Sequence, residues 1–169
     1  PASVRVVPPD SERKPALRDP LGTLLFRYQS LPYYRTDRGR HTLAGPQWRV
    51  LNDKTIAHIT TREQTLLDTL HRPLSCGGPS VVGEAWARGV AELDADKLAQ
   101  LLQTLNDAPL IRRVGYMLQL QEYAASGALR DLLDDAQRRA ASLRDEDAVP
   151  LMPGIPGTQH EARWGLRLP

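Results

Sequence analysis

The sequence predicts a mixed α+β fold: a small N-terminal β-sheet, joined by a C-terminal strand, packed against about five α-helices. Three observations carry this. Through residues 1–60, short apolar runs are separated by turn-forming Pro, Gly, Asn and Asp. From Thr61 the apolar period becomes helical, and the last residues alternate large apolar with polar or small side chains. At 169 residues, 41% hydrophobic and 25% charged, the chain suits one globular domain that buries roughly two thirds of its unfolded surface.

Val4-Arg5-Val6-Val7 reads as a strand ended by Pro8-Pro9, which remove ladder donors, and residues 10–20 read as a polar loop. Leu24–Tyr28 forms a second strand. Trp48–Leu51 and Thr55–Ile59 flank Asn52-Asp53-Lys54 as the arms of a hairpin. Between these, Arg35–His41 is expected as an exposed turn or loop with concentrated positive charge.

The helical part, residues 61–145, opens with a capping box. Thr61 accepts from the N–H of Gln64 while the Gln64 side chain reaches back, and Leu66, Leu67 and Leu70 follow before Pro73 stops the helix. After Gly77-Gly78, the residues Val81, Val82, Ala85, Trp86 and Val90 recur at helical spacing. A third helix is capped by Asp94, carries Leu98, Leu101, Leu102 and Leu105 on one stripe, and ends at Asn106. The fourth starts near Pro109 and contains Gly115, which costs about 1 kcal/mol relative to Ala and so implies a close backbone approach by another element. The fifth follows Ser126-Gly127. It turns Leu129, Leu132, Leu133, Ala136, Ala140 and Leu143 inward, with Asp134–Arg138 and Asp135–Arg139 as i, i+4 pairs outside. Residues 146–169 read as an irregular tail, then a last strand, Ala162–Leu168, returning to the N-terminal sheet.

Charge is uneven. Residues 1–62 hold 11 Lys+Arg against 5 Asp+Glu, or +6, and residues 63–169 hold 11 against 15, or −4. The basic part suits an anionic partner, nucleic acid among them, or a solvated surface. No stretch approaches the roughly 20 apolar residues of a membrane helix. The start has neither an initiator Met nor a signal peptide, and Cys76 is the only cysteine. The expectation is a cytoplasmic chain that begins inside a longer gene product.

No catalytic constellation stands out. His41, His58, His71 and His160 have no metal-ligand spacing to one another or to Cys76, and no glycine-rich phosphate loop is present, so neither metal nor cofactor is expected. Pro9–Lys14 holds the acids and lysine of a metal-dependent nuclease core. It sets them in one polar loop, where they do not converge as they would from adjacent strands.

Two segments carry a family resemblance. Ile59–Asp68 is similar to the signature of AbiEi-type antitoxins, in which a strand leads into a Ser/Thr-Pro-Glu-Arg-Thr-Leu-x-Asp helix start; Arg62 and Gln64 take the places of its Pro and Arg. Ile111–Leu118 resembles the family's Arg-Arg-x-Gly-Tyr-x-Leu helix, and Trp164-Gly165-Leu166 its closing strand. The resemblance implies the C-terminal domain of a type IV toxin–antitoxin repressor. Such a domain neutralises a nucleotidyltransferase-like toxin, while an N-terminal winged helix-turn-helix, not recognisable here, holds operator DNA, with homodimers on inverted repeats. The alternatives are an effector or dimerisation domain of a regulator without a toxin, and the nuclease.

Within the motifs, Thr61, Gln64, Asp68 and Gly115 are expected to be structural, with an Asp68–Arg113 ion pair locking two helices and Tyr116 covering it. The competing expectation places Arg112, Arg113 and Tyr116 on a surface that touches toxin or DNA. Arg35, Arg38, Arg40 and Arg49 are expected to add phosphate contacts, which position a protein without reading sequence.

Overall fold

The structure, a computed structural model, describes residues 2–6, 23–37, 45–52 and 55–169. Residues 10–20, the acid-and-lysine string and His41 lie outside the described residues, as do Arg38 and Arg40. The fold is mixed α+β, with five α-helices and three small sheets among the described residues.

Strands β1 (Ala2–Val6), β2 (Thr23–Tyr28) and β3 (Leu31–Asp37) form an antiparallel sheet in the order β1-β3-β2. Strand β3 corrects the expected loop at Arg35, which is paired within the ladder opposite Val4 and Thr23. The turn joining β2 to β3 is Gln29-Ser30, with φ of 48° and 66°. Hairpin turns with two positive φ values match strand twist, but they normally use Asn-Gly, so Gln-Ser leaves no sequence signal. The next hairpin, β4 (Pro46–Asn52) with β5 (Thr55–Thr60), lies where the alternation places it and leads straight into the helices.

Helices α1 (Arg62–His71), α2 (Pro79–Gly89), α3 (Ala95–Leu105), α4 (Ala108–Leu120) and α5 (Gly127–Ala140) enclose the core. Their apolar stripes supply its fully buried residues, among them Leu67, Trp86, Leu102, Val114 and Leu129. The buried Trp86 indole N–H donates to Thr69 Oγ1 at 3.1 Å, which in turn donates to the Leu66 carbonyl. Helix ends obey local chemistry. Asp94 Oδ1 accepts from the Lys97 N–H at 3.0 Å, Asp107 Oδ1 accepts from the Leu110 N–H at 3.0 Å, and Asn106 closes α3 at φ 48°. Outside α5, Asp135 pairs with both Arg138 and Arg139; the expected Asp134–Arg138 pair is replaced by this i, i+3 contact.

The closing strand does not join the N-terminal sheet. Strand β8 (Leu166–Leu168) lies between β6 (Val149–Pro150), parallel to it, and β7 (Gln159–Glu161), antiparallel to it. The segment between β6 and β8 turns back on itself through Gly154 and Gly157, so β8 finds its partners locally while Leu166 is buried in the helical core. Among the described residues, no helix is long and apolar enough to cross a membrane.

Asp94→Ala, which removes the α3 cap, is expected to cost about 1 kcal/mol, while Asp94→Asn retains most of the stability. Urea unfolding of the two variants beside the parent checks this; equal loss in both would assign the effect to charge instead of capping.

Candidate functional site

Helix α4 carries Arg112, Arg113, Gly115 and Tyr116, and three of these hold the C-terminal segment. The Arg112 guanidinium donates through Nη1 to the Gly165 carbonyl at 3.1 Å, and Arg113 donates through Nε to the Pro150 carbonyl at 3.0 Å. Each arginine is 8% exposed. The expectation of an exposed arginine surface is therefore corrected: both side chains turn inward to carbonyls on β6 and on the turn before β8. Burial draws both guanidinium groups below the usual arginine value, and the Asp107 carboxylate at the start of the same helix opposes this. Buried arginine normally needs a partner, and Asp107 supplies the charge that α4 also uses as its cap.

Gly115 lies one turn along from Arg112, against Trp164. A Cβ placed on Gly115 would come within 2.2 Å of Cη2 and Cζ3 of the indole, closer than nonbonded carbons tolerate. The close approach expected from the sequence thus occurs, with the approaching element the turn before β8. The indole N–H donates to Gln119 Oε1 at 2.9 Å, and the Trp164 backbone N–H donates to Glu161 Oε2 at 2.9 Å. Gly165 adopts φ 58°, and a side chain there would meet Arg112 Nη1 at 2.8 Å. Tyr116 is half-buried; burial first, and the Glu161 charge second, push its phenol up.

The Asp68–Arg113 ion pair does not form. Asp68 Oδ1 accepts from Gln64 Nε2 at 2.9 Å, and Arg113 is committed to the Pro150 carbonyl. Thr61 Oγ1 accepts from the Gln64 N–H at 3.2 Å, the first half of the expected box. The second half is corrected. Fully buried Gln64 accepts through Oε1 from the Gly45 N–H at 3.1 Å, and the Thr61 N–H donates to the Gly45 carbonyl at 2.8 Å. Gln64 thus ties α1 to the residue preceding β4. Sequence reading also passed over Glu63, which is buried and accepts from the Asp94 N–H at 3.3 Å, linking the starts of α1 and α3.

The exposed chemistry lies on the strands. In the β4–β5 register Trp48 faces His58 and Val50 faces Ile56, so strand alternation sets Trp48, Val50 and Ile56 on one face. These three are 71%, 74% and 62% exposed. Arg49 occupies the intervening register position, opposite Ala57, and Arg35 is exposed on β3. An open cleft of about 350 Å³ lies between α4, α5 and Trp164, bordered by Glu122, Asp134, Arg130 and Arg163 in mixed charge. Among the described residues, no group of three or more His, Cys, Asp or Glu side chains could hold a metal ion. No protein family, curated protein or solved structure matches this chain.

Gly115→Ala and Gly83→Ala are expected to move stability in opposite directions. Gly83, inside α2, has open space around its Cα, so Ala should stabilise by up to about 1 kcal/mol through helix propensity. At Gly115 the same gain is outweighed by overpacking against Trp164, for a net loss of about 1–2 kcal/mol. Urea midpoints decide it, and a stabilised Gly115→Ala would refute the contact.

Proposed function

We propose that this chain is the C-terminal antitoxin domain of an AbiEi-type, type IV toxin–antitoxin system, a cytoplasmic partner-binding protein without catalysis of its own. It neutralises a cognate nucleotidyltransferase-like toxin and supports autorepression. Operator DNA is held chiefly by an N-terminal winged helix-turn-helix, with the domain's homodimers matching inverted-repeat operators.

One observation carries the binding role: the apolar face of the β4–β5 hairpin, with Trp48, Val50 and Ile56 each more than half exposed. Contiguous exposed apolar side chains centred on a tryptophan suit a protein interface, where large aromatic anchors supply most of the affinity. The hairpin is tied to the first resembling segment through Gly45, Thr61 and Gln64, so a partner seated on it would be registered against the helical core. The two resembling segments themselves support the reading through architecture. Arg112 and Arg113 act by holding the C-terminal strands, and their contribution to neutralisation passes through the fold.

Co-expression with the toxin encoded beside its gene, scored by growth, tests this. The parent chain is expected to rescue growth, Trp48→Ala/Ile56→Ser to lose rescue while keeping its unfolding midpoint, and Arg112→Ala/Arg113→Ala to lose rescue together with stability. A folded parent chain that fails to rescue would move the assignment to a regulator's effector or dimerisation domain.

A further inference from the structure

The cleft between α4, α5 and Trp164 is a second surface, and the antitoxin reading makes no use of it. Its volume, about 350 Å³, lies at the small end of the range for small-molecule sites. Tyr123, Leu118, Leu133 and Trp164 give it an apolar lining, and two acids, Glu122 and Asp134, share its border with Arg130 and Arg163. All four charged residues are exposed.

Among the described residues, none of these four forms an ion pair. Exposed charges nearby do pair, Arg88 with Glu84 at 2.6 Å and Arg139 with Asp135 at 2.8 Å. Arg130 and Asp134 stand at the i, i+4 spacing that permits a bridge along α5, yet Arg130 Nε turns back to donate to the Ala125 carbonyl at 3.1 Å. Arg138, the other cation within a turn of Asp134, is taken by Asp135. Glu122 is set against local preference as well. It follows the end of α4 at φ 52°, a conformation that favours Gly or Asn, and its carboxylate lies where the helix dipole favours a cation. The cleft therefore brings both signs of charge to one apolar lining without letting them neutralise each other.

We propose that this cleft binds a free apolar α-amino acid, its carboxylate drawn by Arg163 and Arg130, its ammonium by Glu122 and Asp134, and its side chain laid on the apolar lining. Only a ligand carrying both charges matches both pairs. A dicarboxylate would meet Glu122 and Asp134 with like charge, a polyamine would do the same to the arginines, and a hydrocarbon would desolvate all four unpaired. The site lies on the helical side, apart from the hairpin face of Trp48, so its occupancy and growth rescue are scored separately.

Titration of the whole ¹⁵N-labelled chain with leucine and with phenylalanine, followed by amide chemical shifts, tests the proposal. Saturable shifts are expected at Leu118, Glu122, Leu133 and the Trp164 indole, with a Kd of about 1 mM, as suits so small a ligand in an open cleft. N-acetyl-leucine, which stands for a peptide's C-terminus, and leucinamide, which stands for its N-terminus, each lack one charge and are expected to bind about tenfold more weakly. Glu122→Gln and Arg163→Gln are each expected to weaken leucine about fivefold. Glu122→Gly is expected to weaken it equally while unfolding at a higher urea concentration than the parent, which separates lost binding from lost fold. The proposal is overturned by absence of saturable shifts at about 20 mM leucine, by a blocked derivative that binds as well as the free amino acid, or by folded charge variants that bind as the parent does.

Discussion

The placement of Trp164 against the bare backbone of Gly115 is the contact on which the C-terminal third of the structure depends. Its ring fills the volume that any side chain on α4 would take, and its N–H is satisfied by Gln119 four residues further along the same helix. Trp164 is 2% exposed, and truncating a buried aromatic costs about 3–5 kcal/mol, a substantial part of the 5–15 kcal/mol that holds a domain together. Once the indole is seated, the Gly165 carbonyl lies over Arg112 and β8 is delivered beside β6, whose Pro150 carbonyl meets Arg113. One helix therefore organises both strands of a parallel pair that is only two residues long.

Burying two neighbouring arginines beside that contact has an electrostatic cost, visible as the downward pull on both guanidinium groups. The cost is offset where Asp107 lies within reach of both and by the carbonyls that accept their protons. The same carboxylate caps α4, so helix initiation and charge compensation share one residue. Polar residues that read as surface chemistry are thereby consumed in packing, while large apolar residues of β2, β4 and β5 remain outside. The large exposed apolar side chains of the strands therefore contrast with the buried polar groups of α4, and we propose partner binding on the strand side for that reason.

The junction between the two parts is built from amide chemistry. Gln64 spans Gly45, Asp68 and its own helix start, and it is fully buried, so each of its hydrogen bonds is needed to avoid an unsatisfied polar group. Glu63 serves similarly between α1 and α3. A carboxylate and an amide at adjacent positions thus orient the first helix toward both its neighbours.

The five helices, their caps at Thr61, Asp94 and Asn106, the hairpin of β4 and β5, and the need for a close approach at Gly115 were determined by the sequence alone. Each rests on local physics: apolar period, side-chain capping, turn-forming residues and the helix cost of glycine act over a few residues and are legible there. What approaches Gly115, which carbonyls Arg112 and Arg113 meet, and that Gln64 bonds to Gly45 instead of its own cap were decided only by tertiary structure. Those partners lie 19 to 53 residues away. An arginine's burial depends on the arrival of such distant backbone, so its type and spacing read equally well as surface or as core. Strand β3 escaped for a different reason: its turn, Gln29-Ser30, adopts positive φ without glycine or asparagine, because pairing on both sides of β3 holds it there. Of the expected closing strand Ala162–Leu168 only Leu166–Leu168 is strand, residues 162–165 forming a turn, and its partners β6 and β7 are two and three residues long, below the length at which alternation gives a signal. They form because Trp164 and the arginines of α4 bring them together.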